Sequence, residues 1–281
     1  MKKRYIIIMV SIVVLLLLFL FPVSLLQTPN LTAFEYLELK PYITIGNIII
    51  IVPSSTLIVY LLGIITIYIG IRLYKLDASY KKYWGISLIL WGVGTLLAGT
   101  SYQGLGYELK CSGQAFCLFT SWFELSYLYM TALSITMMAY AVAKKSLNEK
   151  YMDTYLMVIN IGFIVYTISL VFGTIFEIKL WITYEWFLLF FLLYFVSFFV
   201  VNFKNNKRNP NTLDKKFVFV WTLMLIINVL YFIYFYSGIP ESLYNNYQIW
   251  FSANDVLHIG LIYWMYYIYK TVKRNNKDII K

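Results

Sequence analysis

Apolar residues run along this chain in blocks of about 20, not in the narrow stripes of a soluble helix. Eight such blocks lie at about 5–22, 47–73, 83–106, 118–143, 152–176, 180–203, 217–238 and 247–269. A helix of about 20 apolar residues, rising 1.5 Å per residue, crosses a hydrocarbon core of roughly 30 Å. The pattern predicts an all-α integral membrane protein with eight transmembrane helices. One is an N-terminal helix, and seven form a bundle over 47–269. No repeat or long linker divides the chain, so 1–281 reads as a single transmembrane domain.

Composition agrees with this reading. Of 281 residues, 61% are hydrophobic and 13% charged, where soluble domains carry roughly 25% charged residues. Half that charge cannot cover a water-soluble surface. The formal net charge of +10 is informative through its placement. With the N-terminus in the cytoplasm, 20 of the 23 Lys and Arg fall on the inner side, and only Lys40, Lys110 and Lys179 fall outside. Short loops biased in this way follow the positive-inside rule. Both termini, including the basic tail 270–281, are therefore expected in the cytoplasm and the protein in the cell membrane. The cations also attract anionic membrane lipids. No extramembrane segment is long enough to form a nucleic-acid reader. Residues 1–22 open on Met1-Lys2-Lys3-Arg4 and lack a small-x-small cleavage site near Phe21-Pro22-Val23-Ser24, so they read as an uncleaved signal-anchor.

Several local patterns add detail. The stretch 23–46 is expected to lie on the outer surface or to cap the bundle. Pro53 predicts a kink near the outer end of the second block. Gly85, Gly92, Gly99 and Gly106 recur every seven residues on the third block. That spacing puts small residues on one face, where a second membrane helix packs closely or a substrate lies. Cys111 and Cys117 share one outer loop, where two thiols form a disulfide or remain free; spacing alone leaves both open.

Ionisable groups within spans cost roughly 2.5–3.5 kcal/mol each at a helix centre on insertion scales. Glu124, Glu185, Asp255 and His258 all fall in the outer halves of their blocks, which predicts one outward-opening polar cavity. Helical spacing puts Tyr247, Phe251, Asn254, Asp255 and His258 on one face of the last block. Thr120, Glu124, Tyr127, Thr131 and Ser134 form a polar stripe on the fourth. Tyr102 and Gln103 lie beside the glycine face. Asp153, Asn160 and Asn228 read as interfacial groups or helix–helix glue, and the inner half carries no comparable set of ionisable residues.

Three segments resemble the membrane hydrolase superfamily of alkaline ceramidases and adiponectin receptors: Gly99-Thr100-Ser101-Tyr102-Gln103-Gly104, Trp122-Phe123-Glu124-Leu125 and Asn254-Asp255-Val256-Leu257-His258. In that superfamily a seven-helix bundle holds zinc through three histidines, and an acidic residue assists a metal-bound water. The resemblance puts Gln103 and Asn254 where two of the histidines stand, with His258 the one that remains. It implies Glu124 as the acid; carboxylates and imidazole bind zinc, so His258, Asp255 and Glu124 are the candidate zinc ligands.

Three functions follow from these residues. In a hydrolase of a lipid amide or ester, His258, Asp255 and Glu124 are catalytic, and Tyr102, Gln103, Asn254, Glu185 and Tyr127 contact substrate. In a receptor or transporter, the same groups bind a small polar or amphipathic ligand. In a structural protein, they only lock the bundle.

Overall fold

A computed structural model describes residues 31–38, 40–208, 210 and 212–273. The expected signal-anchor, 1–22, and residues 274–281 of the basic tail lie outside the described residues. Helices α1 (Ala33–Glu38), α2 (Pro53–Tyr74), α3 (Ser79–Ala98), α4 (Gly106–Lys110), α5 (Trp122–Ser146), α6 (Glu149–Ile175), α7 (Tyr184–Arg208), α8 (Thr212–Tyr236), α9 (Ile239–Tyr247) and α10 (Ala253–Lys273) dominate the fold. A π-helical segment, Gly99–Gly104, prolongs α3. Among the described residues six helices (α2, α3 with its π segment, α5, α6, α7 and α8) are long and apolar enough to cross a membrane. Their outward faces are apolar, as at Ile161, Ile164 and Ile168 on α6 and Leu189, Leu192 and Leu193 on α7. The protein is a multi-pass helical membrane protein. At 21 residues, α10 is also about as long as the hydrocarbon core is thick.

The long helices alternate in direction. Lys40, Lys110 and Lys179 lie at the end where α2, α5, α7 and α10 begin, here the cap end. The remaining described Lys and Arg cluster at the opposite, basic end. Helix α5 is the hub, with α3, α6 and α7 around it. Its small residues Ala132, Ala139 and Ala141 are fully buried. Ser134 Oγ donates to the Ser87 carbonyl of α3 at 2.7 Å.

Two elements depart from the sequence reading. The second block does not start a helix at 47. Tyr42–Ile45 and Ile48–Ile51 form an antiparallel hairpin, β1 and β2, with Ile45 paired to Ile48. Gly46, at φ +61°, supplies the positive φ that a two-residue hairpin turn needs. The β-branched isoleucines around Gly46-Asn47 then favour strand over helix. Pro53 produces no kink, because it stands at the first turn of α2, where its missing N–H costs nothing. Likewise the last block does not begin at 247. Gln248 ends α9 in the left-handed region, at φ 56°. Residues Gln248–Ser252 are non-helical, so Tyr247 and Phe251 leave the face of α10.

The glycine face is a packing seam. A Cβ on Gly92 would sit 2.7 Å from the Gly63 carbonyl oxygen of α2, and one on Gly70 would sit 2.9 Å from that of Gly85. These reciprocal pairs bring the two backbones together, and dispersion holds them without a hydrophobic drive. Gly106 falls off the seam because the wider π turn shifts the register; it packs on the Ser101 carbonyl, Ile51 and Tyr36 instead.

At the cap end, α1, the hairpin and the loop after α4 enclose a second small core of Tyr36, Ile51, Val52, Cys111 and Cys117. Cys111 and Cys117 form a disulfide. The stretch before α2 thus caps the bundle, as one of the two expectations had it. The basic end carries a polar cluster that the sequence reading missed. Asp214 Oδ1 accepts from Ser146 Oγ at 2.7 Å and from Asn202 Nδ2 at 2.9 Å, joining α5, α7 and α8. Asn160 does act as glue, bonding Tyr140 across α5 and α6.

Replacing Gly92 by Leu should disrupt the α2–α3 contact at backbone atoms that cannot yield. Thermal unfolding in detergent is expected to show a loss of about 1–3 kcal/mol or more. Ile161→Ala on the exposed face of α6 should change the midpoint far less.

Candidate functional site

Glu124 stands at the start of a helix, not deep within one. Ser121 is extended, and its Oγ accepts the Glu124 N–H at 3.3 Å, capping α5. In a Ser-x-x-Glu capping box the carboxylate turns back to the cap's own N–H. Here it turns aside. Oε1 accepts from Lys110 Nζ at 2.8 Å and from Ser101 Oγ at 2.8 Å, while Oε2 accepts from Thr120 Oγ1 at 3.0 Å. Both ions are enclosed, with Glu124 2% and Lys110 9% exposed. A carboxylate so far from water requires such a cation and donors.

Asp255 plays a matching part on α10. Ser252 Oγ accepts the Asp255 N–H at 3.3 Å. In return Asp255 Oδ2 accepts from the Ser252 N–H at 2.6 Å and from its hydroxyl at 2.9 Å. The result is a reciprocal capping box with Asp in place of Glu. Ser55 Oγ, in the first turn of α2, donates to the same oxygen at 2.8 Å and ties α10 to α2. Glu185 is exposed, in the first turn of α7.

The common depth of these three acids therefore has a cause other than a shared pocket. Each sits in the first turn of a helix that starts at the cap end, where the partial positive charge of the N-terminus favours a carboxylate. Glu124 and Asp255 both bond at helix starts, and Asp255 keeps one buried oxygen, Oδ1, without a partner. The zinc triad expected from Glu124, Asp255 and His258 does not form: among the described residues no group of three His, Cys, Asp or Glu side chains can hold a metal ion. Lys110 and Ser101 engage Glu124, and Ser55 and Ser252 engage Asp255.

A cavity of about 340 Å³ nevertheless exists, bounded by α2, α3 with its π segment, α5, α7, α8 and α10. Five of the expected residues line it: Tyr102, Gln103, Tyr127, Asn254 and His258. Glu124, Asp255 and Glu185 do not. Thr131, from the expected polar stripe, lines it too, whereas Ser134 is engaged at the α3 interface. Lys40, Asn228, Tyr184 and Tyr231 also line it. Asn228 thus belongs to the cavity wall, although its amide donates to the Met224 carbonyl of its own helix at 2.8 Å.

The π segment makes this wall. Its wide turn, closed by the Leu105 N–H on the Thr100 carbonyl at 2.9 Å, sends Ser101 to Glu124 while Tyr102 and Gln103 reach the cavity. Tyr102 meets Tyr127 edge-on at 6.1 Å, and Tyr127 stacks on Tyr184 at 6.4 Å. Three polar atoms on the wall are buried without a partner: Gln103 Oε1, Thr131 Oγ1 and His258 Nδ1. At the cap end Lys40 Nζ lies 5.3 Å from the centroid of the Tyr36 ring, and Lys110 Nζ lies 5.5 Å from that of Tyr102. Burial holds the Lys40 ammonium below its ordinary pKa range. The neighbouring Lys110 adds to that shift, and Glu124 opposes it.

The chain belongs to the DUF6962 family, a family of unknown function, which it matches over residues 54–277. That stretch contains all seven long helices and the cavity's helical walls, but not α1, the hairpin or Lys40. No curated protein and no solved structure matches the chain.

Lys110→Met should leave Glu124 buried without its cation, at a cost of about 3–5 kcal/mol. Adding Glu124→Gln, which keeps an acceptor for Ser101 and Thr120, should restore most of the stability. A double-mutant cycle read by thermal unfolding checks this; additive losses would show that the pair is not coupled.

Proposed function

We propose that this member of the DUF6962 family binds a small amphipathic molecule in the cap-end half of its bundle, as a receptor or transporter does. One observation carries the reading: three residues with a buried, unpartnered polar atom, Gln103 on the π segment, Thr131 on α5 and His258 on α10, line a single cavity. A buried polar group without a partner costs about 1–3 kcal/mol. Three around one cavity are accounted for together by a ligand that bonds to them. Most of the rest of the wall is aromatic and aliphatic, as in Trp91, Phe195 and Leu261. Small-molecule sites combine such walls with a few placed polar groups, in volumes of roughly 300–1,000 Å³.

Hydrolysis of a lipid amide or ester is the weaker reading, since neither carboxylate assigned to it reaches the cavity. The proposal takes the basic end as cytoplasmic. It keeps residues 1–22 as a signal-anchor, giving eight spans in the cell membrane with the cavity facing outward.

Protein purified in mild detergent is expected to retain a small molecule or lipid near one per chain, identified by mass spectrometry of the extract. The paired change Gln103→Leu and Thr131→Val removes two of its partners and should abolish that retention. Equal content in both preparations would contradict the reading.

A further inference from the structure

The cap end of the cavity carries an unbalanced cation. Two lysines approach it, Lys40 on its wall and Lys110 beside Tyr102. The Lys110 charge is met by Glu124 at 2.8 Å. Among the described residues Lys40 has the face of Tyr36 as its close contact, and Glu124 acts on it only from beyond ion-pair distance. Among the described residues no acid lines the wall: Asp255 is turned toward Ser55 and Ser252, and Glu185, exposed and outside the lining, lies near Tyr102, Tyr184 and Tyr231 and does not act on Lys40. A cation in a partly desolvated, apolar mouth attracts anions strongly.

Below Lys40 the walls are rich in rings: Tyr102, Tyr127, Tyr184, Phe187 and Trp91. Rings pack against rings at 4.5–7 Å, and rigid aromatic bodies lose little entropy on binding. A space of about 340 Å³ also suits a compact body better than a full two-chain lipid. Gln103 and Thr131, lining residues 5% and 3% exposed, each carry an unpartnered buried polar atom.

Building on the ligand-binding reading above, we infer that the cavity selects a compact aromatic anion, a carboxylate or phosphate monoester held at Lys40 with its ring system between the tyrosines. Because Lys40 precedes the stretch matched to the family, this charge selection belongs to the cap of this chain, while the ring-lined floor belongs to the shared helices.

The test is calorimetric titration of the full chain in phosphatidylcholine nanodiscs with three probes: naphthalene-2-carboxylate, 2-naphthyl phosphate and the neutral naphthalene-2-carboxamide. The wild type should bind at least one anion ten-fold or more tighter than the carboxamide, and the stronger anion identifies the headgroup. Lys40→Gln should bring the anion affinity down to that of the carboxamide, and Lys40→Arg should keep the preference. Equal binding of all three probes to the wild type, or a preference that survives Lys40→Gln, overturns the inference. If the carboxamide then still loses affinity in Gln103→Leu, the ligand-binding reading stands and only the charge selection falls. Absence of binding by every probe also overturns the inference, and the small-molecule content of the purified protein then decides the broader reading independently.

Discussion

Glu124 joins the cap to the bundle. Its carboxylate draws together Lys110 from α4, Ser101 from the π segment and Thr120 from the loop before α5, while its backbone N–H is capped by Ser121. In a low-dielectric setting none of these groups can be left alone: the acid needs its cation, and the lysine needs its acid. Satisfying them fixes where α5 begins, where α3 widens and how the disulfide-closed loop sits above them. Asp255 also bonds at a helix start, at α10, with Ser55 of α2 as the cross-link, but it has no cation among the described residues and its Oδ1 is unpartnered. The cap end is thus held by side chains bonded to helix starts.

The cavity is a consequence of that arrangement. With Ser101 held toward Glu124, the wide turn leaves Tyr102 and Gln103 on the inner wall, opposite Asn254 and His258. The glycine seam between α2 and α3 brings those two backbones close at Gly63 and Gly92. Rigid walls and unpartnered polar atoms are then found together, and such preorganisation favours binding by reducing the cost of ordering the site.

Much of this was legible in the sequence. Block lengths gave the long helices, charge placement separated the two ends, and heptad glycines marked the α2–α3 seam. Five cavity residues were legible from helical spacing, the glycine face and the family resemblance. The carboxylates were misread for a physical reason: hydropathy blocks ran past the true helix starts at Trp122 and Ala253, so residues in first turns looked intramembrane. The signals were present, in Ser121-x-x-Glu124 and Ser252-x-x-Asp255, as was Gly46-Asn47 between β-branched runs for the hairpin. Lys110 was not legible as a partner, since its contact with Glu124 depends on how the loop between α4 and α5 folds back. The Asp214 cluster stayed hidden because Asp214 looks like a loop residue until α8 is seen to begin at Thr212.

The most direct measurement is the accessibility of single cysteines placed at Gln103, Thr131 and Ser87 to a small water-soluble thiol reagent applied at the cap end. The wild type offers no competing thiol, because Cys111 and Cys117 are bonded to each other. Gln103→Cys and Thr131→Cys should react, with Ser87→Cys, enclosed between α3 and α5, protected. Protection of all three would contradict the account, since no cap-facing cavity would then exist for a ligand to enter.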